Sequence, residues 1–191
     1  MRIVLTTALM AIMAFVANGQ GSYLITSNSV GGIKLGMTVA QARKAMPGFR
    51  LKRTSDGDGQ ALIEVSKGGK ETMTVYAGED DPDARINENA KIEHIKVWDS
   101  RYRTVDGIHP KMLVKEVERK LGKVKEVFMS EIESREYATF RKKTKGLMFR
   151  IDVNTEGKYL SAGIYPKGNR RGSRCVPTAF IIGIEVSDYF N

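Results

Sequence analysis

Two histidines, one cysteine, two acidic strings and one arginine cluster are the groups that could carry chemistry in this chain. His94 and His109 lie in different segments, and neither belongs to a His-x-x-x-His metal pattern or stands near a serine-nucleophile motif. His109 precedes Pro110 and is expected in a turn; His94 is expected on the polar face of a strand. Cys175 is the only cysteine, so an intramolecular disulfide is excluded. A reactive thiol or an intermolecular link is weighed against a partly buried small side chain beside Val176-Pro177, and the latter is the expectation. Glu79, Asp80, Asp81, Asp83 and Asn87 offer calcium-type oxygens, as does Asp56-Gly-Asp-Gly59, but neither has the full ligand series and closing glutamate of an EF-hand. A solvated loop and a hairpin turn are expected there, with no metal site. Arg170, Arg171 and Arg174, in the basic loop Lys167-Gly-Asn-Arg-Arg-Gly-Ser-Arg174, remain. A planar guanidinium suits bidentate contact with phosphate or carboxylate, so these three are the candidate binding residues for an anion or a partner. No catalytic residues and no cofactor are expected.

Charge bears on the partner. The N-terminal stretch opens with Arg2, continues through the apolar run Ile3–Ala17 and offers small residues at Ala17-Asn18-Gly19, the pattern of a cleaved secretory signal. The run is shorter than the roughly 20 apolar residues that span a bilayer. No cysteine follows it as a lipid acceptor, and stable membrane insertion after cleavage is not expected. Loss of Arg2 takes the formal charge from +9 to +8, an excess that attracts acidic partners and weakens with salt. Nucleic acid is a poor candidate, because an export signal accompanies the charge and no nucleic-acid-binding motif does. The expected location is extracytoplasmic, periplasmic or secreted.

The elements that must position these groups come in two series. Gly31-Gly-Ile-Lys-Leu-Gly-Met-Thr-Val-Ala-Gln-Ala-Arg-Lys-Ala-Met-Pro-Gly48 is echoed by Asp106-Gly-Ile-His-Pro-Lys-Met-Leu-Val-Lys-Glu-Val-Glu-Arg-Lys-Leu-Gly122, at an offset of 75 from Gly32 to Gly107. Thr38 and Gln41 have capping-box spacing, so a short helix should begin there and end at Pro47-Gly48. Leu113, Val114, Val117 and Leu121 make one face of a second helix, although Lys111 and Leu113 replace the Gly and Thr of the first motif. Strands are expected at Ala61–Val65, Thr72–Tyr76 and Ile92–Trp98, then at Val124–Met129, Glu136–Arg141, Leu147–Val153 and Phe180–Val186. Ile95-Lys-Val-Trp-Asp99 matches Ile184-Glu-Val-Ser-Asp188 at an offset of 89, which puts an insertion in the second half. Trp98 and Tyr102 are expected to cover the junction between the halves.

At the paired Ile-x-x-Gly-Met-Thr pattern, carried by Ile33, Gly36, Met37 and Thr38 with Leu35, the chain resembles exported bacterial proteins of the tandem-repeat β-lactamase-inhibitory-protein type and the small SmpA/OmlA-type lipoproteins of outer-membrane assembly. His109, Pro110, Lys111 and Leu113 depart from the pattern in the second copy. The resemblance implies work by protein–protein contact through sheet face and loops. It implies neither lipid attachment, for want of the cysteine, nor β-lactamase inhibition, for want of matching contact residues.

The sequence therefore predicts an α+β fold: two tandem repeats of a short helix plus antiparallel strands, with the helices packed on one face of the sheet. The division expected is a signal over 1–19, a first repeat over 20–103 and a second over 104–191. The function expected is a non-enzymatic, soluble binding protein of the cell envelope whose partner is a protein. A binder of anionic lipid or polysaccharide is the alternative, and a hydrolase assembled only in space the remote one.

Overall fold

The computed structural model describes residues 23–131, 134–153 and 161–190; the expected signal segment lies outside them. The described residues open with the two-residue strands β1 (Leu24–Ile25), β2 (Ser29–Val30) and β3 (Ile33–Lys34). Helix α1 (Val39–Ala45) follows, then β4 (Arg50–Ser55), β5 (Ala61–Lys67), β6 (Lys70–Tyr76) and β7 (His94–Val97). After β8 (Arg103–Thr104) come α2 (Val114–Leu121), β9 (Val124–Met129), β10 (Glu136–Phe140) and β11 (Leu147–Asp152). The short strands β12 (Gly163–Ile164), β13 (Arg171–Gly172) and β14 (Arg174–Cys175) precede β15 (Phe180–Ser187) and a final 3-10 turn, Asp188–Phe190. Among the described residues no helix is long and apolar enough to cross a membrane.

Among the described residues nine strands form one antiparallel sheet in the order β13-β9-β10-β11-β15-β7-β6-β5-β4. Its centre is the pair β7 and β15, in register Ile95 to Val186 and Val97 to Ile184. Cross-strand neighbours share a face. From Leu51 the register runs through Val65, Met73, Val97, Ile184, Phe149 and Ala138 to Val127, and each of these side chains is buried.

This architecture corrects the expected fold class. Strand makes up 42% of the structure and helix 11%, so the fold is predominantly antiparallel β, not α+β with helices packed on the sheet. The physical reason is length. Helices of 7 and 8 residues make two turns each and bury only Val39 and Ala42 in one, Val114, Val117 and Leu121 in the other. That cannot cover nine strands. The apolar face is closed with the help of Ile25, Val30 and Ile33 from the small sheet β3-β2-β1-β8, and of the loop residues Ile92, Tyr102 and Ile108.

Each helix starts from the same hydrogen bonds. The N–H groups of Gly36 and Val39 donate to the carbonyls of Ile92 and Ala90, and Ile92 N–H donates to Met37. Lys111, Val114 and Ile181 repeat these bonds with Ile181, Ala179 and Met112. Thr38 completes a reciprocal cap: its Oγ1 accepts from Gln41 N–H at 3.2 Å and its N–H donates to Gln41 Oε1 at 2.9 Å. At α2 only the second half of this exchange exists, Leu113 N–H to Glu116 Oε2 at 3.2 Å, because leucine has no acceptor. Lys111 also holds φ 75°, the left-handed conformation that Gly36 adopts at φ 79°. Such a φ strains a residue with a Cβ. Lys111→Gly is expected to raise the unfolding free energy by about 0.5–1 kcal/mol, read as a higher urea midpoint with unchanged slope; a lower midpoint would show that the lysine side chain contributes more than its backbone costs.

Candidate functional site

The second face of the sheet is built from the alternate residues. Lys52, Glu64, Thr74, Lys96, Glu185 and Met148 follow one another across six strands, from β4 to β11. A neighbouring row runs Arg171, Phe128, Tyr137, Arg150 and Gly183, from β13 to β15. His94 projects on this side of β7, opposite to Ile95 and Val97, as the alternation requires. This face is concave. Asp56 and Gln60, from the turn after β4 at one end of the sheet, line the same pocket as Phe128 and Arg171 at the other end, and the pocket holds about 630 Å³.

At its floor lies a cluster of ionisable groups. Glu185 is 2% exposed and Lys96, directly across the strand pair, is 6% exposed. Tyr137 Oη donates to Glu185 Oε1 at 3.1 Å, and His94 Nε2 stands 3.1 Å from Glu185 Oε2. Burial pushes the Glu185 carboxyl up, but His94, Lys96 and Tyr137 together outweigh it and hold it below the ordinary carboxylate range. The His94 ring in turn meets Phe190 edge-on at 5.8 Å. A carboxylate so surrounded is a fixed ionic partner, suited to shaping a pocket floor rather than to exchanging protons.

Aromatic and cationic side chains stiffen the wall formed by β13, β9 and β10. The rings of Phe128 and Tyr137 stack at 5.6 Å and 25°, and the Arg171 guanidinium lies 5.5 Å from the Phe128 ring while its Nη1 bonds Glu126 Oε1 at 2.6 Å. Trp98 lies over Gly183: a Cβ built on Gly183 would meet Trp98 Cζ3 at 2.5 Å. Arg150 lies 5.5 Å from the Trp98 ring. Trp98 thus covers the seam between β7 and β15, whereas Tyr102 is buried beneath the opposite side with its ring edge-on to Tyr23 at 5.1 Å.

The three candidate arginines separate. Arg170 and Arg171 line the concave pocket, with Arg171 on edge strand β13, while Arg174 lies on β14 and lines a second pocket with Lys125, Tyr165 and Ser173. Arg171 lines both. The insertion that carries them is tied to the sheet by Glu136, which accepts from Ala162 N–H at 2.6 Å, Gly163 N–H at 2.9 Å and Tyr165 Oη at 2.7 Å. The remaining chemistry-bearing groups do not converge. His109 Nδ1 is 2.7 Å from the carbonyl of Pro110, Asp56 Oδ1 accepts two N–H groups of its own turn, and Glu79 is bound to Arg53 at 2.6 Å. Among the described residues no three His, Cys, Asp or Glu side chains are grouped to hold a metal ion.

Cys175 is half-buried, and burial, then Glu136 and Glu118, push its thiol up to about 12. At pH 8 its thiol–disulfide exchange is therefore expected to run on the order of a thousandfold slower than that of a free thiol. A chromogenic disulfide reagent checks this; rapid stoichiometric reaction before unfolding would contradict it.

Sequence reasoning singled out His94 but passed over Glu185 and Tyr137. The available signal was the match of Ile95-Lys-Val with Ile184-Glu-Val, which sets opposite charges in equivalent polar slots of the two central strands.

No protein-family pattern matches the chain. No curated protein matches it by sequence. In structure it is similar to the uncharacterized protein yfeY from Escherichia coli, with a TM-score of 0.54 and 13% identity, over 85% of this chain and 98% of that one. At that identity the likeness concerns the fold alone.

Proposed function

We propose that this chain is an exported, extracytoplasmic binding protein, periplasmic or secreted, that holds a segment of a partner protein of the cell envelope on its concave sheet face and performs no catalysis there. The observation that carries this reading is the floor of the pocket. Glu185 accepts from Tyr137 Oη, stands 3.1 Å from His94 Nε2 and faces Lys96 across the strand pair in a preformed arrangement, which favours a rigid receptor surface. The proposal of export rests on the N-terminal sequence, Arg2 followed by the apolar run Ile3–Ala17. We further propose that the two halves are copies of one unit, supported by hydrogen bonds that recur at offsets of 75 and 89 residues; on this reading the likeness to the β-lactamase-inhibitory-protein and SmpA/OmlA types extends to a contact role.

Affinity capture with residues 20–191 from a solubilised envelope fraction tests it. A discrete protein retained at moderate salt by the wild type and lost with Met148→Arg, which fills the pocket, is the expected result. Retention unaffected by Met148→Arg would remove the concave face from the account.

A second reading has its own observation: Lys125, Arg171 and Arg174 gather round the second pocket, of about 620 Å³. These groups suit an anionic lipid or polysaccharide. This reading predicts that replacing Arg170, Arg171 and Arg174 by Ala weakens binding to anionic vesicles and that added salt does the same. Binding that ignores both changes would dispose of it.

A further inference from the structure

Charge does not select what the concave face takes, because both signs are interleaved along it. Glu131 lines the pocket together with Arg170 and Arg171, and Asp56 lines a neighbouring hollow together with Arg135 and Arg150. At the floor Glu185 faces Lys96 and stands 3.1 Å from His94 Nε2, and at the edge strand Arg171 binds Glu126 at 2.6 Å. A charged ligand group brought to any of these points meets a like charge as well as an opposite one, so attraction is largely offset by repulsion. The overall charge of +9 is no guide to this face.

The apolar groups suffer no such cancellation, and they flank the floor. Tyr137 on β10 and His94 on β7 lie on either side of β15, which carries Glu185. Phe128 stacks on Tyr137 at 5.6 Å on the one side, and Phe190 meets the His94 ring at 5.8 Å on the other. Met148 lies between, across the strand pair from Glu185. The turn that carries Phe190 is held to the sheet, since Gly146 N–H donates to the Phe190 carbonyl at 3.3 Å and Ser187 N–H to the Gly146 carbonyl at 3.2 Å. Two ringed walls are thus preformed, while the unbranched Met148 can adjust to what enters. At the rim the exposed Gln60 offers a neutral amide, which can both donate to and accept from a peptide group. A hollow of about 630 Å³ has room for a bulky side chain with its flanking backbone.

Resting on the reading of this face as a protein-binding surface, we infer that its occupant is an uncharged peptide segment anchored by one bulky apolar residue, which seats over Met148 between the Phe128–Tyr137 pair and Phe190. The affinity comes from burying that anchor and not from ion pairs. Phe190 determines specificity here, because it closes the wall opposite Phe128.

A phage-displayed library of random heptapeptides is the probe, selected against residues 20–191 as wild type and as Met148→Arg. The peptide most enriched on wild type is then titrated, by fluorescence anisotropy at low and moderate salt, against wild type and Phe190→Ala, a change that removes a ring and no charge. The expected result is a shared aromatic or long aliphatic residue with no shared charge, lost on Met148→Arg. Its Kd should rise about tenfold with Phe190→Ala and change by less than about twofold with salt. Peptides lost on Met148→Arg that share an acidic or basic residue, or whose Kd follows salt and ignores Phe190→Ala, would overturn this inference and leave the protein-binding reading standing. Peptides that bind Met148→Arg as well as wild type, or no enrichment at all, would overturn both.

Discussion

Glu185→Ala is expected to lower the unfolding free energy by about 3–5 kcal/mol, because it removes a buried carboxylate from a cluster in which it faces Lys96 and stands 3.1 Å from His94. It also removes the acceptor of the Tyr137 hydroxyl. Glu185→Gln should cost less, since an amide oxygen can keep that hydrogen bond, and combining Glu185→Ala with Lys96→Met should recover part of the loss. Urea denaturation of the wild type, these three variants and Lys96→Met alone measures this. Losses of Glu185→Ala and Lys96→Met that simply add would mean that the pair is uncoupled. The same group gives stability a pH dependence. The folded-state value of Glu185 is depressed, as is that of Asp99, where burial pushes up but Arg101, bound at 2.6 Å, prevails. A depressed carboxylate contributes stability in full above its unfolded value and loses it as pH falls through the folded one. Acid unfolding should therefore begin below the ordinary carboxylate range, and Glu185→Gln should flatten that limb.

Gly183→Val is the second large effect expected, a loss of about 2–3 kcal/mol from overpacking. Gly183 needs no unusual backbone angle; it needs space. Its Cβ would stand 2.5 Å from Trp98 Cζ3, 2.7 Å from Trp98 Cε3 and 3.2 Å from the carbonyl of Val97. The indole would have to leave the seam between β7 and β15 and surrender its contact with Arg150, 5.5 Å away. Tryptophan fluorescence should shift to the red together with the fall in stability, and Gly183→Ala/Trp98→Ala should fold better than Gly183→Ala alone. A Gly183→Val protein with wild-type stability and emission would mean that Trp98 does not lie on that glycine.

How much of this was legible depended on whether a residue's environment is local. The alternation of Leu147, Phe149 and Ile151, and of Ile95 and Val97 against His94 and Lys96, reports a half-buried strand directly, and β11 and β7 form there. Edge strands gave no such signal. In β4 only Leu51 is buried among Arg50, Lys52 and Arg53, and β13 is two residues of a basic loop that pairs with β9. The small sheet consists of two-residue strands too short for any period. The fold class was misread because two amphipathic segments were given the role of a layer, while their two turns each bury too little to close a nine-stranded sheet.

The site was legible only in parts, for the same reason. Arg170 and Arg171 were visible as a basic cluster, but the residues that give them a context come from the far end of the sheet and from the centre of β15. Nothing in Asp56-Gly-Asp-Gly59 indicates that curvature of the sheet brings it to the rim opposite Arg170. Glu185 sits between Ile184 and Val186, where alternation accounts for it fully and conceals that it is the most buried acid of the concave face.

The central claim is that the concave face, and no other surface, receives the partner. Site-specific photocrosslinking tests it most directly, with benzoylphenylalanine placed at the exposed pocket-lining residue Gln60 or at Val105, which is 82% exposed and does not line the pocket, and the protein irradiated in an envelope fraction. The account predicts one discrete adduct from position 60 and none from position 105. Equal adducts from both positions, or an adduct from position 105 alone, would contradict it.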